Sequence, residues 1–284
     1  MLVFLFAGIM QMPGESLINR EDSPLRFSFE TEQGTLAVVR HTIQIGDGGD
    51  VFDYRKEGGQ ELLFPFSRYQ AEMTAADRHL VSLLYQPLRV VTKVSFAESR
   101  TIDGVEFEAG TPMELTYGFP FYRLTYGYDL LPGDHQLYIG ALLQMRNASI
   151  VFRDLGTDSG NIGDYDERSM VVSQNLGPVP ALFIRGRYEL PSGAFFQAEA
   201  AGIYASSRFI NGADFDFTGS LLDASLRAGY PLRNGMEVFL ALRYLGGSAE
   251  GESEYAQSFW TDSKNPYTAN NLSTVTLAAG LTVR

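Results

Sequence analysis

The sequence predicts an all-β fold on three observations: an up-and-down antiparallel transmembrane β-barrel of about ten strands, with twelve as the alternative. Short runs of alternating apolar and polar residues, separated by Gly, Asp and Asn clusters, dominate the 284-residue chain, and long helical periodicity is absent. The connections between these runs alternate strictly between long and short. Each run carries one nearly pure apolar face and one charged face. No stretch approaches the roughly 20 apolar residues of a spanning helix, a test that barrel strands escape because half of each strand is polar.

Residues 1–22 read as a leader or irregular segment and 23–284 as one barrel domain. The apolar start, MLVFLFAGIM, has no basic n-region. It reads either as a signal peptide whose true start lies upstream or as an ordinary apolar terminus. The first strand, LRFSFETEQGTLAVVRHTIQI, carries a candidate break at Gln33-Gly34. An acidic Gly-rich loop leads to FPFSRYQAEMT, the short turn AADR and HLVSLLYQPLRVVTKV. A long connection with room for a small hairpin follows, then MELTYGFPFYRLTYGYDLL, a PGD turn and HQLYIGALLQMRNASIVF. Two hairpins in series close the pattern: ALFIRGRYEL and AFFQAEAAGIYAS around PSG, then SLLDASLRAGYPL and MEVFLALRYL around RNG. The tenth strand is LSTVTLAAGLTVR. A soluble sandwich has no reason to put every tight turn at one end. A barrel inserted from one side of a membrane does, with short periplasmic turns, long external loops and, for ten strands, both termini periplasmic.

Side-chain placement agrees. Tyr128, Tyr188 and Tyr230 each sit on the apolar face a few residues before a short turn. They form a candidate girdle, because a phenol ring suits the boundary between lipid and water. The polar face carries Arg68, Arg123, Arg146, Arg185, Arg187, Arg227 and Arg243. Against them stand Glu72, Asp129, Glu189, Glu199, Asp223 and Glu237. Near balance of charge fits a narrow lumen, where unpaired charge is costly and paired charge is tolerable. The Arg fork also serves several carboxylates at once. A largely side-chain-filled polar lumen is therefore expected.

The formal net charge is −12, and no basic face offers itself to nucleic acid. Without cysteine there is neither disulfide nor thiolate chemistry. The surplus acid lies in long loops. Asp158, Asp164, Asp166 and Glu167 are candidate ligands for Ca2+ or Mg2+, although they lack the regular spacing of an EF-hand. No other cofactor is expected. His41 is the one candidate general base; Thr42 and Ile43 follow it, so the His-x-Ser pattern of outer-membrane lipid hydrolases is missing. Omptin-like proteases need paired Asp plus an Asp–His couple on facing strands; the one Asp-x-His of this chain, Asp77-Arg78-His79, sits beside a short turn. A lumen-facing or solvated histidine is the default.

Three segments, DRHLVSLLYQPL, FEAGTPMELTYGFPFYRLTYGYDL and LLDASLRAGYPLRNGMEVFLALRYLGGSAEG, give the chain its likeness to known proteins. It resembles a family of uncharacterised outer-membrane β-barrel proteins of Gram-negative bacteria. The last strand also resembles the C-terminal assembly signal of such barrels, without the terminal aromatic. The resemblance implies a fold and a bacterial outer-membrane location, with membrane lipids, lipopolysaccharide and the barrel-assembly machinery as partners of a monomer. It carries no catalytic residues. The expected role is structural, surface-exposed or ligand-binding without catalysis; a narrow channel and a lipid-modifying enzyme at the external rim remain as alternatives.

Overall fold

A computed structural model describes residues 18–19, 23–131, 133–156, 170–206, 215–253, 263 and 265–284. Among the described residues are fifteen strands: β1 Leu25–Ile45, β2 Val51–Asp53, β3 Leu63–Ala75, β4 His79–Gln86, β5 Arg89–Ser95, β6 Arg100–Ile102, β7 Val105–Phe107, β8 Pro112–Gly118, β9 Phe121–Asp129, β10 Gln136–Asp154, β11 Met170–Glu189, β12 Phe195–Ser206, β13 Phe215–Pro231, β14 Met236–Ser253 and β15 Tyr267–Val283. Ten of them close an antiparallel barrel in the order β1-β3-β4-β9-β10-β11-β12-β13-β14-β15 and back to β1.

Two predicted strands are interrupted. The third breaks at Pro87 into β4 and β5, and the fourth breaks at Phe119-Pro120 into β8 and β9. Proline donates nothing to a ladder, so each break falls where the chain has least to lose. The first strand, by contrast, runs unbroken through Gln33-Gly34, and its irregularity is a shift in register between Val38 and Arg40.

The four predicted short turns all lie at one end. Ala76 and Asp77 both take positive φ, and so do Asn234 and Gly235, the left-handed pair that a two-residue hairpin turn demands. Gly193 and Gly133 serve the other two turns. β1 begins and β15 ends at this same end, where Phe29 pairs Val283. The long connections lie at the opposite end.

Alternation sorts the side chains. Along β13 and β14, Leu222, Leu226, Leu240 and Leu242 face outward and are about half exposed or more, while Asp223, Arg227 and Arg243 face inward and are buried. Five outward positions cover nine residues, about 30 Å of strand and roughly 23 Å of depth at a 40° tilt. That depth matches the apolar band of a membrane barrel, about 25 Å.

The interior is filled by side chains as expected, but only part of that filling is polar. The half near the short turns is charged. The half near the long loops is an apolar block containing Leu36, Val38, Ile43 and Ile45 of β1 together with Phe52, Tyr54, Phe96, Phe107 and Phe152. The reason is that two long connections fold inward instead of standing in solvent. Residues 46–62 bring Phe52 and Tyr54, each at most 1% exposed, and the connection containing the β6–β7 hairpin brings Ile102 and Phe107. A polar latch joins them: Arg100 donates Nε to Glu57 Oε2 at 2.7 Å and places Nη2 at 2.6 Å. The Glu57 carboxylate holds the Arg100 guanidinium above its ordinary pKa.

Candidate functional site

The charged half of the lumen is a network built on inward positions of different strands. Glu32 of β1, fully buried, is its hub. It accepts from Arg243 Nε at 2.6 Å and Arg227 Nη2 at 2.8 Å, with a further contact to Arg243 Nη2. Arg227 also reaches Glu30 at 2.7 Å. Arg68 of β3 donates to Asp223 at 3.2 Å and stands 3.6 Å from Glu199 on β12, the strand diametrically opposite in a ring of ten. Arg123 adds a 2.8 Å pair with Asp223 and a fork onto Gln144 Oε1 at 3.1 and 2.7 Å. Arg185 joins Glu199 at 2.8 Å to Glu72 at 2.7 Å. Arg187 forks onto Glu237 at 3.1 and 2.9 Å and donates to Glu189 at 2.5 Å.

Aromatic rings complete this layer. The guanidinium of Arg187 lies 3.7 Å from the centroid of Phe195, and that of Arg227 lies 4.7 Å from Phe239. Each ring covers a glycine on the neighbouring strand. A Cβ on Gly229 would meet Phe195 at 2.4 Å and one on Gly280 would meet Phe239 at 2.1 Å, so only glycine fits there.

Of the residues singled out by sequence, eleven meet in this network. Asp129 does not. It is buried, but its Oδ1 accepts the backbone N–H of Leu131 at 3.1 Å and of Leu137 at 2.8 Å. An aspartate at the mouth of a tight turn satisfies local N–H groups first. The side chain of Arg146 and the candidate cation ligands Asp158, Asp164, Asp166 and Glu167 lie outside the described residues. Among the described residues no group of three His, Asp or Glu side chains could hold a metal ion.

The girdle tyrosines Tyr128, Tyr188 and Tyr230 all point outward near the short turns. A second set, Tyr69, Tyr122, Tyr204 and Tyr244, points outward nearer the long loops. Sequence reading passed over Glu30, Glu32, Gln86 and Gln144. Carrying the β1 alternation unbroken through Gly34 would have placed both glutamates inside.

His41 is 1% exposed within the apolar half. Its ring stacks on Tyr54 with centroids 4.2 Å apart, meets Tyr117 edge-on at 4.2 Å, and sets Nδ1 2.7 Å from Gln60 Oε1. A general base needs a proton to take within hydrogen-bond reach, directly or through one water. Here rings and an amide enclose it. At the short-turn end a polar cavity of about 560 Å³ opens below the network, lined by Arg26, Arg78, Asp134, Gln136, Tyr138 and Arg185 among others.

These features define the class: the fold is that of the β-barrels of Gram-negative outer membranes, here with a lumen filled by ion pairs and aromatic rings. The chain is similar in structure to the outer-membrane protease OmpT from Escherichia coli, with a TM-score of 0.51 and 12% identity over 94% of this chain and 99% of that one. A FadL homologue of Pseudomonas aeruginosa aligns over 91% of this chain and 89% of its own at TM-score 0.36 and 7% identity. Ail of Yersinia pestis aligns over 90% and 99% at TM-score 0.29 and 9% identity. Identity this low speaks for the fold alone. Neither a family profile nor a curated protein sequence matches the chain.

Proposed function

We propose that the protein is a monomeric outer-membrane barrel with an occluded lumen, serving a structural, surface-exposed or ligand-binding role without catalysis. The short turns and both termini face the periplasm and the long connections face outward. The observation that carries this reading is the succession of two different fillings along one axis. Ion pairs tie opposite walls together, and above them stands an aromatic block with a gap of about 20 Å³ beside Tyr117, the room of one water. The apolar outer wall and its tyrosines support contact with membrane lipid.

The polar cavity at the short-turn end favours a second reading, a narrow channel closed in this state. Recording from the purified protein in planar bilayers separates the two. The expected result is no unitary conductance; reproducible steps overturn the occluded reading and establish the channel. A lipid-modifying role through His41 has no geometric support, and lipid profiles unchanged between wild type and His41→Ala are expected.

A further inference from the structure

The outer wall is not evenly covered by side chains. Between β10 and β15 it is indented by an apolar groove of about 740 Å³. The floor is Gly186, Ala198 and Ala228, none of them reaching beyond a methyl group. The banks are Tyr188, Phe196, Leu226 and Leu240, each more than half exposed. Register explains the course of the groove. Gly186 pairs Ala198, Ala198 pairs Leu226, Leu226 pairs Leu242 and Leu242 pairs Leu277, so one row of outward positions crosses β11 to β15. At about 4.8 Å from strand to strand that row is roughly 19 Å long. Beneath its β11–β12 end the paired rings of Tyr188 and Phe196 stand up as a lip.

The groove lies low in the membrane. Gly186 comes four residues before Leu190, whose N–H closes the tight turn on Ala194 O. It therefore stands about 10 Å above that turn on a strand tilted by about 40°. That is the lower half of an apolar band of about 25 Å.

The lower end of the groove carries a polar fixture, His135. Its ring stacks on Tyr188 with centroids 4.4 Å apart, and its Nδ1 accepts the backbone N–H of Glu189 at 3.2 Å. A ring nitrogen that accepts from an N–H carries no proton itself, so the proton of His135 is on Nε2. Nε2 makes no hydrogen bond among the described residues. The acidic neighbours are turned elsewhere: Glu189 takes Arg187 Nε at 2.5 Å, and Asp134 lines the lumen cavity. A free N–H donor thus stands at the edge of the apolar band, and a trough for hydrocarbon leads away from it.

We propose that the groove holds one glycerophospholipid of the leaflet on the short-turn side, with an acyl chain over Gly186, Ala198 and Ala228 and a phosphate oxygen accepting from His135 Nε2. The proposal rests on the outer-membrane reading and adds a site on the outer wall, separate from the lumen. Two features select a lipid over a second copy of the chain. An apolar trough that ends at a hydrogen-bond donor matches an amphiphile, which brings a hydrocarbon chain and an acceptor in that order. A second barrel is convex and meets this wall along a line, whereas the groove follows the wall around five strands, as a flexible chain can.

The test uses the full chain purified in detergent, stripped of lipid and titrated with palmitoyl-oleoyl phosphatidylethanolamine under native mass spectrometry. Wild type should retain one lipid per barrel at a collision energy that strips all others. Ala198→Leu combined with Ala228→Leu fills the floor with outward leucines and should cut that retained fraction several-fold. His135→Ala should also cut it several-fold, and a diacylglycerol with the same chains, which lacks the phosphate, should be retained equally by wild type and His135→Ala. Ala141→Leu makes the same change at an exposed position of β10 outside the groove and should retain the lipid as wild type does. Retention in the filled variant equal to wild type overturns the site, and retention unchanged in His135→Ala overturns the phosphate contact. A wild-type dimer that the filled variant loses assigns the groove to a second copy and overturns the lipid. Each of these leaves the outer-membrane reading standing; a chain that stays dispersed in buffer once detergent is removed overturns that reading itself.

Discussion

The two halves of the lumen solve one problem by opposite means. In each, ten strands turn alternate side chains inward and the space between must be filled. Near the short turns the filling comes from the strands themselves, and it is charged. Arg68, Arg185, Arg187 and Arg227 each span two carboxylates, so opposite walls are tied through side chains that are nearly all buried. Near the long loops the strands turn aliphatic and aromatic side chains inward, and segments 46–62 and 96–111 carry further rings in among them. Charge braces a wall that is laddered on both edges. Rings fill the region beyond Tyr69 and Tyr85, where β3 and β4 are no longer laddered.

The difference predicts where the molecule breaks hardest. Glu32→Ala removes the shared acceptor of Arg227 and Arg243 and leaves two buried cations short of a partner. The expected loss is about 3–5 kcal/mol, the range for breaking a buried ion pair from one side. It is read as a lower urea midpoint for conversion of the folded barrel in detergent, with Glu32→Gln falling between variant and wild type because the amide keeps an acceptor. A midpoint equal to wild type means that the network does not brace the barrel.

The charged half was legible in the sequence and the aromatic half was not, and periodicity explains both. Arg185, Arg187, Arg227 and Arg243 occur in strands whose alternation is uninterrupted, so the phase that puts one inside puts all inside. Glu30 and Glu32 escaped because an expected break at Gln33-Gly34 stopped the phase being carried across. Asp129 had the right phase but lies beside a turn, where local N–H groups compete for a carboxylate. Phe52 and Tyr54 lie in a Gly-rich acidic stretch whose composition reads as solvated loop. The alternation Val51, Phe52, Asp53, Tyr54 was the available signal, three residues too short to count as a strand on its own.

The aromatic half should answer to substitution with the opposite sign. Tyr54 is fully buried, its ring packs on His41, and burial pushes its hydroxyl pKa well above the ordinary value. That hydroxyl has no hydrogen-bond partner among the described residues. Tyr54→Phe keeps the ring and removes the unsatisfied oxygen, so the barrel should gain about 1 kcal/mol. The same urea titration reads it as a higher midpoint. A lower midpoint shows that the hydroxyl makes a stabilising bond in the membrane-embedded protein, and the comparison between the halves then loses its contrast in polar satisfaction.

The smallest effect should come from charges of the same chemistry placed outside the lumen. Arg26 and Asp77 form a pair at 3.1 Å beside a short turn, with side chains 65% and 72% exposed. Water screens such a pair, and ordering two long side chains costs entropy, so Arg26→Ala should change stability by about 0.5 kcal/mol or less. Set beside Glu32→Ala, this breaks an ion pair of the same chemistry at the surface instead of in the lumen. If the two midpoints fall by similar amounts, the cost of Glu32→Ala is that of breaking any ion pair in this chain, whatever its burial. A shift for Glu32→Ala several-fold larger assigns the cost to desolvated cations left in a closed barrel.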